Sequence, residues 1–547
     1  MQQQARKAWI VAVLGLVLVF MAACSSKGNE AATPSQGSSS AAPPGSAQSP
    51  AAAEETGYPA SFKYWVQLPY NADPSVTNYS QMKAFQHKQE ITGTQVEFLH
   101  PSGEGAQVAE QLNLLLASRN LPDVIESNWR NIPKGPDNAI KDGAIIRLNE
   151  LIDQQAPNFK KYLDDNPDIR KMITTGEGNI YAFPFIRGDQ ALRVSWGPIM
   201  RADWLKTVGL EPPETIDEWE TALIAFRDHD LNGNGKQDEI PFVLPIGAVN
   251  NSQLNPMIGA WGITGDFYQV DGTVKFGPMQ DEYKQFLTVM KRWYDEKLID
   301  PDFAAVDNKL LDAKVTNNQL GAFFHSGGGG LGRYLNLMKD AGDTAFDLIG
   351  LRNPTLNKGD MPALGMMDFA YQGLGSAAIT TSAKNPEQIV KWLDYNYSEE
   401  GQLLFNFGIE GESYTYVDGV PKLSQNILDN NPHISKYALI YASGPFVQDV
   451  RAMTYTSPNH KQAVENWAHA ANKVRIPPIT MSADDSAKLN SVMSDINTYI
   501  QEMNIKFIMG VESLDKFDAY VNQLKSMGIE DAVKIQQNAL DSYNQAK

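Results

Sequence analysis

One cysteine in 547 residues, at position 24, sets limits on everything the chain can fold into. A single thiol closes no intramolecular disulfide. No cysteine follows position 24, so the rest of the chain offers neither a thiol nucleophile nor a cysteine ligand for zinc. The folded part must therefore be held by packing, helped by whatever ions its loops bind. Roughly 490 residues remain beyond position 57. That length supports a large core and two or more lobes.

The residues around Cys24 explain its position. Arg6 and Lys7 precede an uncharged apolar run from Ala8 to Ala23. The run is short for a helix crossing about 30 Å of hydrocarbon and suits the core of a signal peptide. It ends Met21-Ala22-Ala23-Cys24, followed by Ser25 and Ser26. This resembles a bacterial lipoprotein cleavage box. The resemblance implies a signal peptide over 1–23 and Cys24 as the lipidated, palmitate-bearing first residue of a membrane-anchored lipoprotein. Residues 24–57 are mostly Ser, Ala, Pro, Gly, Gln and Thr. Such a segment buries too little apolar surface to offset its ordering entropy, so it reads as a flexible stalk. No second apolar run of comparable length follows.

The formal charge of −18 argues against nucleic acid, whose binding depends on neutralising phosphates. Beyond the stalk, strand and helix patterns alternate. Phe62 to Leu68, Gln95 to Leu99 and Asp123 to Glu126 read as strands, with helices over 79–90 and Ala106 to Ser118 between them. That alternation predicts a mainly parallel sheet with helices on its faces and ligands beyond the carboxyl ends of its strands. Those ends carry Trp65, Gln67 to Tyr70, His100 to Gly103 and Glu126 to Arg130. A second series starts after Ile180-Tyr181-Ala182-Phe183-Pro184, and Thr215 with Glu218 forms a capping-box pattern for a helix over 216–229. Gly321 to Phe324 reads as a buried strand leading into Gly327–Gly330. The C-terminal part is mostly helical, including 484–504 and 511–525.

Five stretches carry a closer resemblance: Leu121-Pro122-Asp123-Val124, Ile180 to Pro184, Arg201-Ala202-Asp203-Trp204-Leu205 with Gly209-Leu210, Lys384-Asn385-Pro386-Glu387, and Gly408 to Tyr414. In wording, order and spacing they resemble the family 1 extracellular solute-binding proteins of ABC importers. The likeness is in particular to the large lipoproteins related to alginate-oligosaccharide-binding proteins. The resemblance implies a periplasmic-binding-protein-like α/β fold, with two α/β lobes around a hinged ligand cleft and extra C-terminal helices. By that analogy lobe one is 58–188 with 352–412, and lobe two is 189–351 with 413–547. It also implies a sugar-transport role as a monomer, with an oligosaccharide ligand and ABC permease subunits as partners.

Asp230-Leu231-Asn232-Gly233-Asn234-Gly235-Lys236-Gln237-Asp238-Glu239 places oxygen-bearing side chains at alternating positions with glycine at the sixth. That pattern wraps a tight loop around a hard cation, and calcium takes six to eight oxygens at about 2.3–2.6 Å. The twelfth position, glutamate in an EF-hand, is Pro241. The alginate-binding relatives imply that the Asp238-Glu239 pair takes over that role. The expected structural Ca2+ ligands are Asp230, Asn232, Asn234, the Lys236 carbonyl, Asp238 and Glu239.

Sugars present flat apolar faces rimmed by hydroxyls, so carbohydrate sites combine aromatic platforms with planar hydrogen-bonding groups. Candidates at strand ends, glycine-flanked turns and the inferred lobe crossing are Trp65, Trp129, Arg130, Trp196, Trp261, His325, Asp368, Tyr371 and Tyr414. The glycine run after His325 could offer backbone amides. It lacks the spacing and lysine of a nucleotide loop. An anchored glycoside hydrolase would need paired carboxylates, for which Asp368 with Glu410 or Glu412 are available but not singled out by spacing. No GxSxG or HExxH pattern occurs, so an enzyme is not expected. A surface glycan-binding protein serving a sensor is the remaining alternative.

Overall fold

The computed structural model describes residues 57–69, 72–132, 135–244, 256–439, 444–455 and 457–545. Cys24, the leader and nearly all of the stalk lie outside these residues. Among the described residues no helix is long and apolar enough to cross a membrane.

Along the chain the first strands are Ser61–Trp65 (β1), Gln95–Leu99 (β2) and Val124–Ser127 (β3), separated by helices Lys83–Thr92 and Ala106–Ser118. Then come Ile186–Arg187 (β4), Trp196–Arg201 (β5), Ile240–Phe242 (β6) and the hairpin Phe267–Val270 (β7) and Thr273–Phe276 (β8). Leu320–Ser326 (β9), Leu348–Gly350 (β10) and Ser376–Ile379 (β11) follow. A second hairpin, Tyr414–Val417 (β12) with Val420–Leu423 (β13), precedes Val447–Gln448 (β14).

The first sheet has the order β11-β3-β1-β2. β1 runs parallel to both β2 and β3, and β11 closes the edge antiparallel to β3. Successive side chains of a strand point to opposite faces, and both faces here are covered. Phe62, Tyr64, Val124, Ala377 and Ile379 enter one core with Phe159, Trp392 and Phe405. Trp65, Ile125 and Ala378 enter another with Leu112 and Trp129.

The second sheet, β10-β5-β9-β6, departs from the mainly parallel expectation. β5 pairs antiparallel with both β9 and β10, and only β6 joins parallel to β9. The chain enters β5 from the crossing rather than through a βαβ unit, so nothing fixes its direction to match β6. On one face lies the largest core, into which Trp204, Trp219, Phe226 and Trp293 pack, joined by Ile496, Phe507 and Tyr520 from the C-terminal helices. On the other, Trp467 of helix Pro458–Ala468 donates its indole N–H to the Pro198 carbonyl at 3.1 Å. A Cβ on Gly197 would lie 2.4 Å from that indole ring, so only glycine permits the approach. The Thr215–Glu218 capping box forms reciprocally, with Glu218 N–H donating to Thr215 Oγ1 at 3.2 Å.

Leu364 and Met366 pack in the largest core, with the second sheet. Tyr414, Ile427, Ile434 and Ala452 pack against Phe407, and Phe446 and Val447 join the first sheet's core. β14 pairs with β4, which joins Val447 and Gln448 to the first body.

Candidate functional site

Where β1 and β3 end, a cavity of about 440 Å³ opens against the Ala106–Ser118 helix. Trp65 and Gln67 reach it from β1 and its exit, Glu126 and Asn128 from β3, and Leu112 and Asn113 from the helix. A parallel sheet gathers its strand exits at one end, which is where such folds take ligands. Gly373, at φ +89°, brings the segment before β11 close to this rim; a Cβ there would lie 2.4 Å from Asn128 Oδ1. Asn128 Oδ1 accepts the Arg130 amide at 3.2 Å.

Glu126 is the ionisable group of this lining, 7% exposed. Burial pushes its carboxyl up to about 8, against the opposing pull of the Tyr64 hydroxyl, which donates to Oε2 at 2.7 Å. A protonated carboxyl carries one donor as well as acceptor capacity. Burial likewise holds the Tyr64 phenol well above its ordinary range, so it stays a donor.

A second set of groups gathers where the chain crosses between the bodies. Arg187 donates to Asp368 Oδ2 at 2.8 Å. Arg475 lies 4.4 Å from the Phe369 ring centre; burial lowers its basicity, and Asp368 opposes that shift. Trp196, 37% exposed, stacks on His325 with centroids 4.7 Å apart and planes at 10°. Burial lowers the His325 pKa, as does nearby Arg333, so its ring favours the neutral form. Rather than leaving an open amide run, Gly327–Gly332 coils into a π-helical turn. A Cβ on Gly330 would sit 2.4 Å from the His325 ring and one on Gly327 2.3 Å from the His460 ring. These glycines admit aromatic rings against the backbone.

Four expected platforms are core residues. Trp129 is fully buried, its N–H shared between the Ile125 and Ser376 carbonyls at 3.2 and 3.1 Å. Trp261 packs edge-on against Phe286 with ring centres 5.6 Å apart, and its flanking Gly259 meets Leu364 rather than a cleft. Tyr371 is 2% exposed, its hydroxyl paired with Tyr181 at 2.5 Å and with Ser376 at 3.0 Å. Tyr414 packs on Phe407 beside a separate cavity formed with Glu399, Glu410 and Tyr416. Arg130 donates to the Ile479 carbonyl, on the C-terminal segment, at 2.8 Å. Trp65, Trp196, His325 and Asp368 remain at the cavity or the crossing.

The strand-end rule reached Gln67 and Glu126 as positions. It could not reach Asn113, which enters from a helix face, or Arg475, which sits in a coil far along the chain.

In the 230–239 loop the carboxylates organise the backbone. Asp230 accepts from Gly233, Asn234 and Gly235 amides at 2.8–3.2 Å. Glu239 Oε1 accepts from Leu231 and Asn232 amides at 2.7 and 3.2 Å, leaving Oε2 buried without a hydrogen-bond partner. Asp238 accepts from Asn232 and Asn234 side chains, which hold its carboxyl below the usual range. Among the described residues no three His, Cys, Asp or Glu side chains are drawn together as a metal cluster.

The model of the bacterial extracellular solute-binding protein family matches residues 71–403. The fructooligosaccharide ABC transporter substrate-binding protein FusA of Streptococcus pneumoniae is 25% identical over 496 residues, 84% of this chain and 87% of that protein. A structure of a FusA EF-hand mutant with fructo-nystose has a TM-score of 0.66 at 24% identity, covering 89% of this chain and all of that one. Alginate-binding AlgQ2, solved without calcium ion, has a TM-score of 0.65 at 24% identity over 88% of this chain and 98% of that one. An extracellular solute-binding protein of Bifidobacterium longum subsp. infantis reaches 0.74 at 22% identity, covering 89% and 98%. With its two α/β bodies, its strand-end cavity and a family match across more than half its length, the chain belongs to the bacterial extracellular solute-binding proteins.

Proposed function

We propose that this chain is the substrate-binding component of a carbohydrate ABC importer. In this reading it takes an oligosaccharide between its two bodies and closes on it by a hinge at the crossing segments. The observation that carries the reading is the cavity at the exits of β1 and β3, where an indole and several amides meet. The exposed Trp196–His325 stack adds a flat aromatic face of the kind sugars pack on. FusA, named for fructooligosaccharide transport, supports the same ligand class. A ligand touching both bodies only when they are closed shifts the population toward that form, which then docks on the permease subunits. Lipid on Cys24 tethers the protein at the outer face of the membrane, and the role is binding rather than catalysis. A thermal-shift screen against fructan, xylan, mannan, pectic and alginate oligosaccharides tests this. A shift with at least one of them is expected; no shift with any would refute it.

We also propose calcium in the 230–239 loop, with Asp230, Asn232, Asn234, the Lys236 carbonyl, Asp238 and Glu239 as its ligands. The unpartnered buried Oε2 of Glu239 supports the fit, because a buried carboxylate oxygen normally has a partner. The hard oxygen donor set suits calcium. The ion would supply a structural tie between helix Ile216–Asp228 and β6.

A further inference from the structure

The cavity at the exits of β1 and β3 has a charge character that bears on which sugars it can take. Its described lining contains no lysine, arginine or histidine. The polar part consists of Gln67, Asn113, Asn128, Asn131 and Ser127 around one acid, Glu126. Among the described residues no protein group hydrogen-bonds the side-chain amides of Gln67, Asn113 or Asn131. The rest is apolar, with Trp65, Val108, Leu112, Ile132 and Leu374 contributing.

Three arginines along the crossing are held by protein acceptors, and a fourth, Arg475, is buried over the Phe369 ring. Arg130 holds the Ile479 carbonyl, Arg187 holds Asp368, and Arg193 donates to the Arg187 and Gly188 carbonyls at 2.9 and 2.7 Å. A carboxylate entering the cavity would lose its water and find no cation in the described lining, and an unpaired buried charge is strongly unfavourable. It would also face Glu126, whose proton would be the only thing preventing two like charges from meeting. Hydroxyls fit the same lining well. Side-chain amides offer both donors and acceptors, and the carboxyl of Glu126, fixed by Tyr64, offers both as well.

We infer that this cavity is a subsite for an uncharged sugar residue and discriminates against uronates. The inference rests on the oligosaccharide-binding reading and narrows its substrate class. It places the selection in Gln67, Asn113 and Glu126, a set that distinguishes neutral fructans, xylans and mannans from pectic and alginate fragments of similar length.

Isothermal titration calorimetry on the full chain tests it, with kestose, xylotetraose and mannotetraose as neutral probes and tetragalacturonate and an alginate tetramer as anionic ones. At least one neutral probe is expected to bind, with both uronates weaker by about a hundredfold or more. Gln67→Ala and Asn113→Ala, both away from the packed cores, should each weaken the neutral probe about tenfold, the loss of roughly one well-made hydrogen bond to a buried ligand. Uronate binding in preference to every neutral probe would overturn the inference while leaving the oligosaccharide reading intact. Neutral binding that both alanine variants leave unchanged would overturn it by removing the cavity from the site. Failure of every probe would overturn the inference and the oligosaccharide reading together.

Discussion

Replacing Glu126 with glutamine isolates the energetic consequence of burying an acid at the end of β3. The unfolded chain ionises this group near its ordinary value of 4.5, whereas the folded protein keeps it protonated to about 8. Between those values the native state binds the extra proton, so stability falls as pH rises. Each pH unit within the window is worth about 1.4 kcal/mol. From pH 5 to 7 the loss through this one residue is therefore about 2–3 kcal/mol, and by pH 8 and above at most about 5 kcal/mol. Glutamine can still accept the Tyr64 hydroxyl bond but cannot ionise. Urea denaturation of both proteins at pH 5, 7 and 9 gives the difference directly, because every other titrating group cancels in it. The variant should match the wild type near pH 5 and exceed it progressively to pH 9. A difference that does not change with pH would refute the assignment of a neutral buried carboxyl to this site.

Three other perturbations address the packing and the loop. Trp129→Ala should cost about 3–5 kcal/mol in urea denaturation, as expected for a buried indole in the first sheet's core; a loss below about 1 kcal/mol would return Trp129 to the surface. Gly197→Ala should destabilise by about 1–3 kcal/mol, because its methyl meets the Trp467 ring; thermal melting at unchanged temperature would contradict the contact. Chelation with EDTA should lower the melting temperature and calcium should restore it, with Glu239→Ala insensitive to both; a wild-type melt unmoved by either treatment would remove the calcium proposal.

Local signals were readable in the sequence where local physics decides the outcome. β2 and the Ala106–Ser118 helix match the expected bounds, and the Thr215–Glu218 capping box forms as its spacing requires. Strand ends located the cavity as far as Trp65, Gln67 and Glu126. What a strand end does not encode is the direction a following side chain takes. Trp129 turns under the sheet because the Ser376 carbonyl of β11, 247 positions away, is there to receive its N–H. The antiparallel second sheet and the joining of β14 to the first body likewise depend on pairings remote in sequence, β5 with β9 and β14 with β4. Arg130 was recognisable as a functional candidate by position, but its partner at Ile479 lies on the C-terminal segment, where no motif marked it.

Capture of a sugar between two hinged bodies is tested most directly by small-angle X-ray scattering of the protein with and without a saturating oligosaccharide identified in the thermal-shift screen. A smaller radius of gyration in the presence of the sugar, absent with a non-binding sugar of equal length, is the expected result. An unchanged radius at a sugar concentration that calorimetry shows to be saturating would contradict closure on the ligand.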